Sequence, residues 1–110
     1  MELRQLRYFV EVARLNSYSL ASKTLFITQS TISQQIRKLE EELGVELLTR
    51  DTRHVVLSDY GEQFYPCALQ VLEDARAGKD RIRDVVNLNV GTLSVGSTYA
   101  FILLLKQSVL

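Results

Sequence analysis

Ser17-Tyr-Ser-Leu-Ala-Ser-Lys-Thr-Leu-Phe-Ile-Thr-Gln-Ser-Thr-Ile-Ser-Gln-Gln-Ile-Arg-Lys-Leu-Glu-Glu-Glu-Leu-Gly44 reads as two helices with almost no chain between them. Ser19 suits an N-cap, because its hydroxyl can accept a bond from a free backbone N–H two or three residues on. A short helix over about Leu20 to Leu25 follows, with Ala21 and Leu25 on its inner side. Phe26-Ile27 is too short to carry structure of its own, and Thr28 is a second capping residue, so another helix starts at Gln29. In that helix Ile32, Ile36, Leu39 and Leu43 recur at steps of four, three and four, which gathers them into one buried stripe. Ser30, Gln34, Arg37 and Glu41 centre on the opposite side, flanked by Ser33 and Lys38. Gly44 can take the left-handed conformation that ends a helix. A short helix, a tight connection and a longer helix with a polar outer face make a helix-turn-helix, whose second helix enters the major groove of DNA.

The flanks extend this unit. On the N-terminal side Leu3, Leu6, Phe9, Val10 and Ala13 fall at helical spacing, so residues 2–15 read as an amphipathic first helix. On the C-terminal side two β-type runs, Glu46 to Arg50 and His54 to Leu57, flank Asp51-Thr52-Arg53 and read as a hairpin. Its tip carries Arg50, Thr52, Arg53 and His54, a basic and hydrogen-bonding set suited to phosphate. From Ser58, a further N-cap, the pattern is helical to about Val86, roughly 40 Å at 1.5 Å per residue. Phe64, Ala68, Val71, Ala75, Gly78, Ile82 and Val85 alternate steps of four and three, the pattern of a coiled-coil seam. Tyr65, Leu69 and Leu72 form a second stripe directed at the domain's own helices. Pro66 is expected to kink this helix, because its ring displaces the carbonyl four residues back. Beyond it, Gly91 to Gly96 alternates like a strand and Phe101 to Leu105 is almost wholly apolar.

Composition sets limits on function. The 110 residues fit one ordinary domain, and 46% hydrophobic with 24% charged are globular proportions. No apolar run is long enough to span a membrane, and Glu2, Arg4 and Arg7 interrupt the position of a signal peptide's core, so a cytoplasmic protein is expected. Cys67 is the only cysteine and His54 the only histidine, which excludes an intrachain disulfide and a four-ligand zinc site of these residues. Cys67 reads as a small packing residue. With no nucleophile constellation and no Gly-rich phosphate loop, an enzyme is not expected, nor is a cofactor. Glu40, Glu41 and Glu42 read as a solvated helix end.

The formal net charge is zero, which speaks against holding nucleic acid by bulk charge. Residues 1–58 hold eight Lys/Arg against seven Asp/Glu, but four of those acids, Glu40 to Glu42 and Glu46, cluster. If the cluster faces away from DNA, Lys23, Arg37, Lys38, Arg50 and Arg53 are left for a small phosphate footprint.

The quoted stretch resembles the signature of LysR-type transcriptional regulators. Leu47 to Arg50, Val56 to Gly61 and the proline of Phe64-Tyr-Pro66 match that family in order and spacing, and Gly91 to Gly96 is similar to the first strand of its effector domain. The resemblance implies a mainly α fold: a winged helix-turn-helix of three helices and a β-hairpin wing over residues 1–58, with the helix-turn-helix at about 18–37. A linker helix for dimerisation follows over 59–87, and 88–110 read as the truncated start of a periplasmic-binding-protein-like effector domain. The implied partners are double-stranded DNA at an interrupted palindrome and a second copy of the chain. Dimers of this family often pair into tetramers, and a small-molecule effector binds only a full-length protein.

Carried over by position, and in agreement with the helical wheel, the base-reading candidates are Gln29, Ser30, Thr31, Ser33 and Gln34. Gln can bond an adenine edge through two hydrogen bonds, and Ser or Thr can bond bases or phosphates. The phosphate candidates are Thr28, Arg37, Lys38, Arg50, Thr52, Arg53 and His54; the dimerisation candidates are Phe64, Ala68, Val71, Ala75, Ile82 and Val85. The chain departs from the common pattern at Ser30, often proline, at Thr31, often alanine, and at Gln34, frequently arginine. These lie on the reading surface and alter sequence preference rather than fold. Tyr60 occupies a place that is usually small. Gln34 and the zero net charge leave a second reading open, an interaction module that pairs with other chains and no longer engages DNA.

Overall fold

A computed structural model of the chain describes residues 1–51 and 54–90. Thr52, Arg53 and the segment 91–110, expected to open an effector domain, lie outside the described residues. The element order is α1 (Leu3–Leu15), α2 (Tyr18–Leu25), α3 (Gln29–Leu43), β1 (Leu48–Asp51), β2 (His54–Leu57) and α4 (Asp59–Val90). By contacts, the first compact unit runs from Met1 to Glu73 and takes in the first part of α4, and a second begins at Asp74.

In the first unit α1 packs on α2, α3 and β2, and α2 packs on α3. The core is Leu6, Tyr8, Phe9, Val12 and Ala13 of α1, Ala21 of α2, Ile32, Ile36 and Leu39 of α3, Leu47, Leu48 and Val55 of the hairpin, and Ala68 of α4. Leu3 at 46% and Leu43 at 37% relative exposure fall outside it, because each lies at a helix end beyond the reach of the facing helix. Gln5 is buried instead: its amide donates to Gln35 Oε1 at 3.3 Å, while its own Oε1 accepts from the backbone of Glu2 at 3.0 Å.

Helix α2 starts two residues earlier than its sequence suggests. Asn16 takes the left-handed conformation at φ 54°, which asparagine tolerates, and this turns the chain so that Ser17 rather than Ser19 becomes the cap. The Ser17 hydroxyl accepts from Leu20 N at 3.0 Å. Asn16 also ties the α1–α2 turn to the hairpin: its side chain donates to Val55 O at 2.9 Å, and its carbonyl accepts from Val55 N at 3.3 Å. Helix α3 begins and ends at Thr28 and Gly44 as its sequence predicts, with the Thr28 hydroxyl accepting from Thr31 N and Gly44 at φ 75°.

The two strands are antiparallel, with Leu48 opposite Leu57 and Asp51 opposite His54. The first strand begins at Leu48 rather than Glu46, because the N–H groups of Leu47 and Leu48 are turned to the carboxylate of Glu40, at 2.7 and 3.3 Å. Leu47 O accepts from Ser58 N at 2.9 Å, and the Ser58 hydroxyl caps α4 by accepting from Gly61 N at 3.0 Å. A Cβ at residue 61 would stand 2.0 Å from Leu47 O, so only glycine lets the helix start this close to the hairpin.

Helix α4 continues through Pro66 to Val90. Its inner stripe differs from the one read in the heptads. Ala68 is 1% exposed, the Phe64 ring packs 5.7 Å from that of Phe9, and Tyr65 meets Phe9 edge-on at 6.2 Å. Ala68 therefore belongs to the core of its own chain, and Phe64 packs partly against it. Leu69, assigned to the core-facing stripe, is 42% exposed, whereas Leu72 does pack against the core. Val71 at 41% and Ile82 at 51% stay exposed, Ala75 and Val85 are half-buried, and Tyr60, 61% exposed, turns to solvent and needs no added room. Cys67 is exposed rather than a packing residue, its thiol directed at Gln63 O.

Candidate nucleic-acid interface

Helix α3 carries Gln29, Ser30, Thr31, Gln34, Arg37 and Lys38 exposed and Ser33 half-buried, on the side away from Ile32, Ile36 and Leu39. Residues 29, 33 and 37 form one ridge of the helix and 30, 34 and 38 the next, as a four-residue step dictates. The first ridge borders an open cleft of about 570 Å³ between α3 and β1, lined by Gln29, Ser30, Ser33 and Arg37 on one wall and Thr49 and Arg50 on the other. Thr31, Gln34 and Lys38 lie on α3 outside that cleft. A second cleft of about 490 Å³ joins the N-terminal end of α2, with Ser17, Ser19 and Leu20, to Gln29, Arg50 and His54. Gln29 and Arg50 border both. The structure thus brings the recognition helix, the hairpin and the start of α2 to one surface.

At the start of α3 the hydroxyls are linked. Thr28 Oγ1 donates to Thr31 Oγ1 at 2.9 Å and lies 3.3 Å from Ser30 Oγ. Free N–H groups at this end make it the positive pole of the helix, suited to a phosphate or a base acceptor. Arg50 owes its place to strand alternation. Leu48 and Arg50 are two residues apart and share a face of β1, so anchoring Leu48 in the core turns Arg50 to the side of α3. His54 is exposed at the first position of β2.

Two residues of the cleft escaped the sequence reading. Tyr18 borders both clefts. Burial, and then the nearby carboxylate of Glu40, push its hydroxyl above the usual tyrosine range, against the opposing pull of Arg50 and Arg37. Its signal was the spacing Tyr18, Ala21, Leu25, hidden by placing the cap at Ser19. Glu40 is the other. Far from being a solvated helix end, it is half-buried, lines the cleft and holds two backbone N–H groups. Glu46 also lines the cleft, so the acidic cluster does not turn away as a block; Glu42 pairs with the Met1 ammonium at 2.8 Å.

The arrangement can present amide and hydroxyl groups to base edges while arginines and a helix end meet phosphates on either side. The sequence profile of bacterial regulatory helix-turn-helix proteins of the lysR family matches residues 3–62. The chain belongs to the LysR family.

Relatives within the LysR family include the HTH-type transcriptional regulator BudR of Klebsiella aerogenes, 46% identical over 98 residues, covering 89% of this chain and 68% of that protein. The Hca operon transcriptional activator HcaR of Escherichia coli K12 is 48% identical over 86 residues, covering 78% of this chain and 29% of HcaR. The chain spans 34% of a second BudR, from Raoultella terrigena. Among solved structures, the BenM DNA-binding domain in complex with catB site 1 DNA is similar at a TM-score of 0.74 and 40% identity, over 77% of this chain and 96% of that one. Full-length CbnR complexed with its target DNA matches at a TM-score of 0.72 and 40% identity, over 78% of this chain and 30% of CbnR. The fold is the winged helix-turn-helix of LysR DNA-binding domains, and the general function is that of a LysR-type DNA-binding transcription regulator. A module that has given up DNA is not favoured, because the same fold, at 40% identity, is seen on DNA. Among the described residues no helix is long and apolar enough to cross a membrane.

Proposed function

We propose that two copies of this chain pair through the exposed face of α4 and place their α3 helices in successive major grooves of an interrupted palindrome. In this reading Gln29, Ser30, Thr31, Ser33 and Gln34 read base edges, and Thr28, Arg37, Lys38, Arg50 and His54 hold phosphates. Thr52 and Arg53, which lie between β1 and β2 in the sequence, join the phosphate set on sequence grounds alone. The observation that carries the proposal is the cleft that sets Gln29, Ser33 and Arg37 of α3 across from Arg50 of the wing. Acidic residues in the same cleft fit a protein of zero net charge that relies on directional bonds more than on bulk attraction. Dimers that pair into tetramers, response to a small molecule in a longer protein, a cytoplasmic location on the nucleoid and the absence of catalysis complete the reading.

Selection of binding sites from random duplex DNA by the purified chain, at low and near-physiological salt, tests it. A two-fold symmetric sequence is expected, with affinity falling steeply as salt rises, because phosphate contacts release counterions. Gln29→Ala and Gln34→Ala should each lose about 1–3 kcal/mol of discrimination at particular base pairs. An unchanged selected sequence with Gln34→Ala would remove α3 from the reading role.

A further inference from the structure

The geometry points to Glu40 as the positioning residue of the wing, the group that fixes the hairpin against the recognition helix so that Arg50 reaches phosphate. Glu40 belongs to α3, three residues beyond Arg37, and its carboxylate leaves that helix to accept the N–H of Leu47 at 2.7 Å and of Leu48 at 3.3 Å. Its backbone carbonyl takes up the other end of the same connection, accepting from Gly44 N at 2.8 Å and Val45 N at 3.2 Å. One residue of the reading helix therefore grips both ends of the segment 44–48. An ionised acceptor makes each of these bonds stronger than a neutral one would be. From the far side the same segment is held by Ser58 N on Leu47 O.

The consequence for DNA follows from strand geometry. With the backbone of Leu48 fixed to α3, Arg50 lies two residues on along the same face and borders the cleft lined by Gln29 and Arg37. Without the grip, the strand can slide or tilt relative to α3. Arg50 would then search for its phosphate rather than be delivered to it. Glu40 does this while lining the same cleft.

This inference rests on the DNA-binding reading above, and its test keeps the two apart. Salt-dependent binding is measured on the selected operator for the wild-type chain, Arg50→Ala, Glu40→Asp and Glu40→Gln. Glu40→Asp keeps the charge but shortens the reach by one methylene; Glu40→Gln keeps the reach and removes the charge. Arg50→Ala removes one phosphate contact from each half of the dimer and should lower the salt slope by about two, roughly a thirtyfold loss of affinity at about 0.15 M salt. Glu40→Asp should reproduce that loss, Glu40→Gln should retain the wild-type slope, and Arg50→Ala combined with Glu40→Asp should lose no more than Arg50→Ala alone. Amide exchange is read beside it: the Leu47 and Leu48 N–H groups should be protected in the wild type and in Glu40→Gln.

Tighter binding by Glu40→Gln with a steeper slope would mean that Glu40 acts on DNA only as a repelling charge, and would overturn the proposal. So would a wild-type slope in Glu40→Asp, or rapid exchange of both amides in the wild-type protein. Absence of salt-dependent binding by the wild type itself would instead defeat the DNA-binding reading.

Discussion

The rings of Phe9 and Phe64 stand 5.7 Å apart and tilted by 49°, joining the first helix of the domain to the start of the long one. Phe9 is wholly buried, and Tyr65 meets it from the same helix, so α4 begins as part of the DNA-binding core and not as a detached arm. Phe64→Ala should therefore cost on the order of 2–3 kcal/mol, near the low end for an aromatic truncation because Phe64 is half-buried. Urea unfolding measures this. Sedimentation at concentrations where the variant stays folded should find its self-association unchanged, and a selective loss of the dimer would place Phe64 in the seam.

In the proposed pairing, Val71, Ala75, Ile82 and Val85 carry the seam along α4. Ile82→Lys places a charge on an exposed apolar position and should shift the chain towards monomer without lowering its helix content. Operator affinity should fall with it, because two half-sites bound by one dimer become two separate events. Sedimentation velocity decides; a dimer as tight as the wild type would move the pairing face elsewhere on the helix.

Tyr18 makes stability depend on alkaline pH. Its folded-state pKa is raised above the ordinary tyrosine value, chiefly by burial, so the native state keeps the proton that the unfolded chain gives up. The contribution is fully present below about pH 10 and is lost as pH rises from there through the raised value. Tyr18→Phe should flatten this alkaline decline. Absorbance titration of the native protein should also show a late-ionising tyrosine signal that is lost in the variant; an unchanged high-pH titration in Tyr18→Phe would contradict the burial.

Phe26 adopts φ 57° and ψ 40° with 92% of its surface exposed. An aromatic side chain gains nothing from that exposure, and the left-handed backbone costs a non-glycine residue roughly 1–2 kcal/mol. Asn16 holds the same conformation with a residue suited to it. Phe26→Asn should therefore raise the thermal midpoint by several degrees, as about 1 kcal/mol does for a domain of this size. A lower midpoint would mean that the ring stabilises the turn in a way its exposure conceals.

Much of this was open to inspection in the chain itself. The stripe Ile32, Ile36 and Leu39, the cap at Thr28 and the stop at Gly44 are local facts, and α3 formed where they placed it. Its polar face was legible for the same reason, since the residues a helix exposes follow from the residues it buries. Ser17 against Ser19 was not, because either hydroxyl can cap, and the left-handed turn at Asn16 decides between them. The packing of Phe64 on Phe9 was hidden for a related reason. Steps of four and three mark an apolar stripe on a helix without saying whether its neighbour is the same chain or another, and the contacts of Phe64 and Ala68 within their own chain appear only in the fold.

By itself, then, the sequence determined the elements and their faces, because hydrogen bonding along a helix and the alternation of a strand act between near neighbours. Only the tertiary structure decided what those faces meet. Glu40 is one of three consecutive glutamates, indistinguishable from Glu41 in the chain, and becomes the clamp of the wing because the fold brings two unpaired N–H groups within its reach. Tyr18 enters the interface by the same route, through the approach of α3 and β1 to the start of α2. A buried polar group takes its role from the partners that satisfy it, and those partners are remote in sequence.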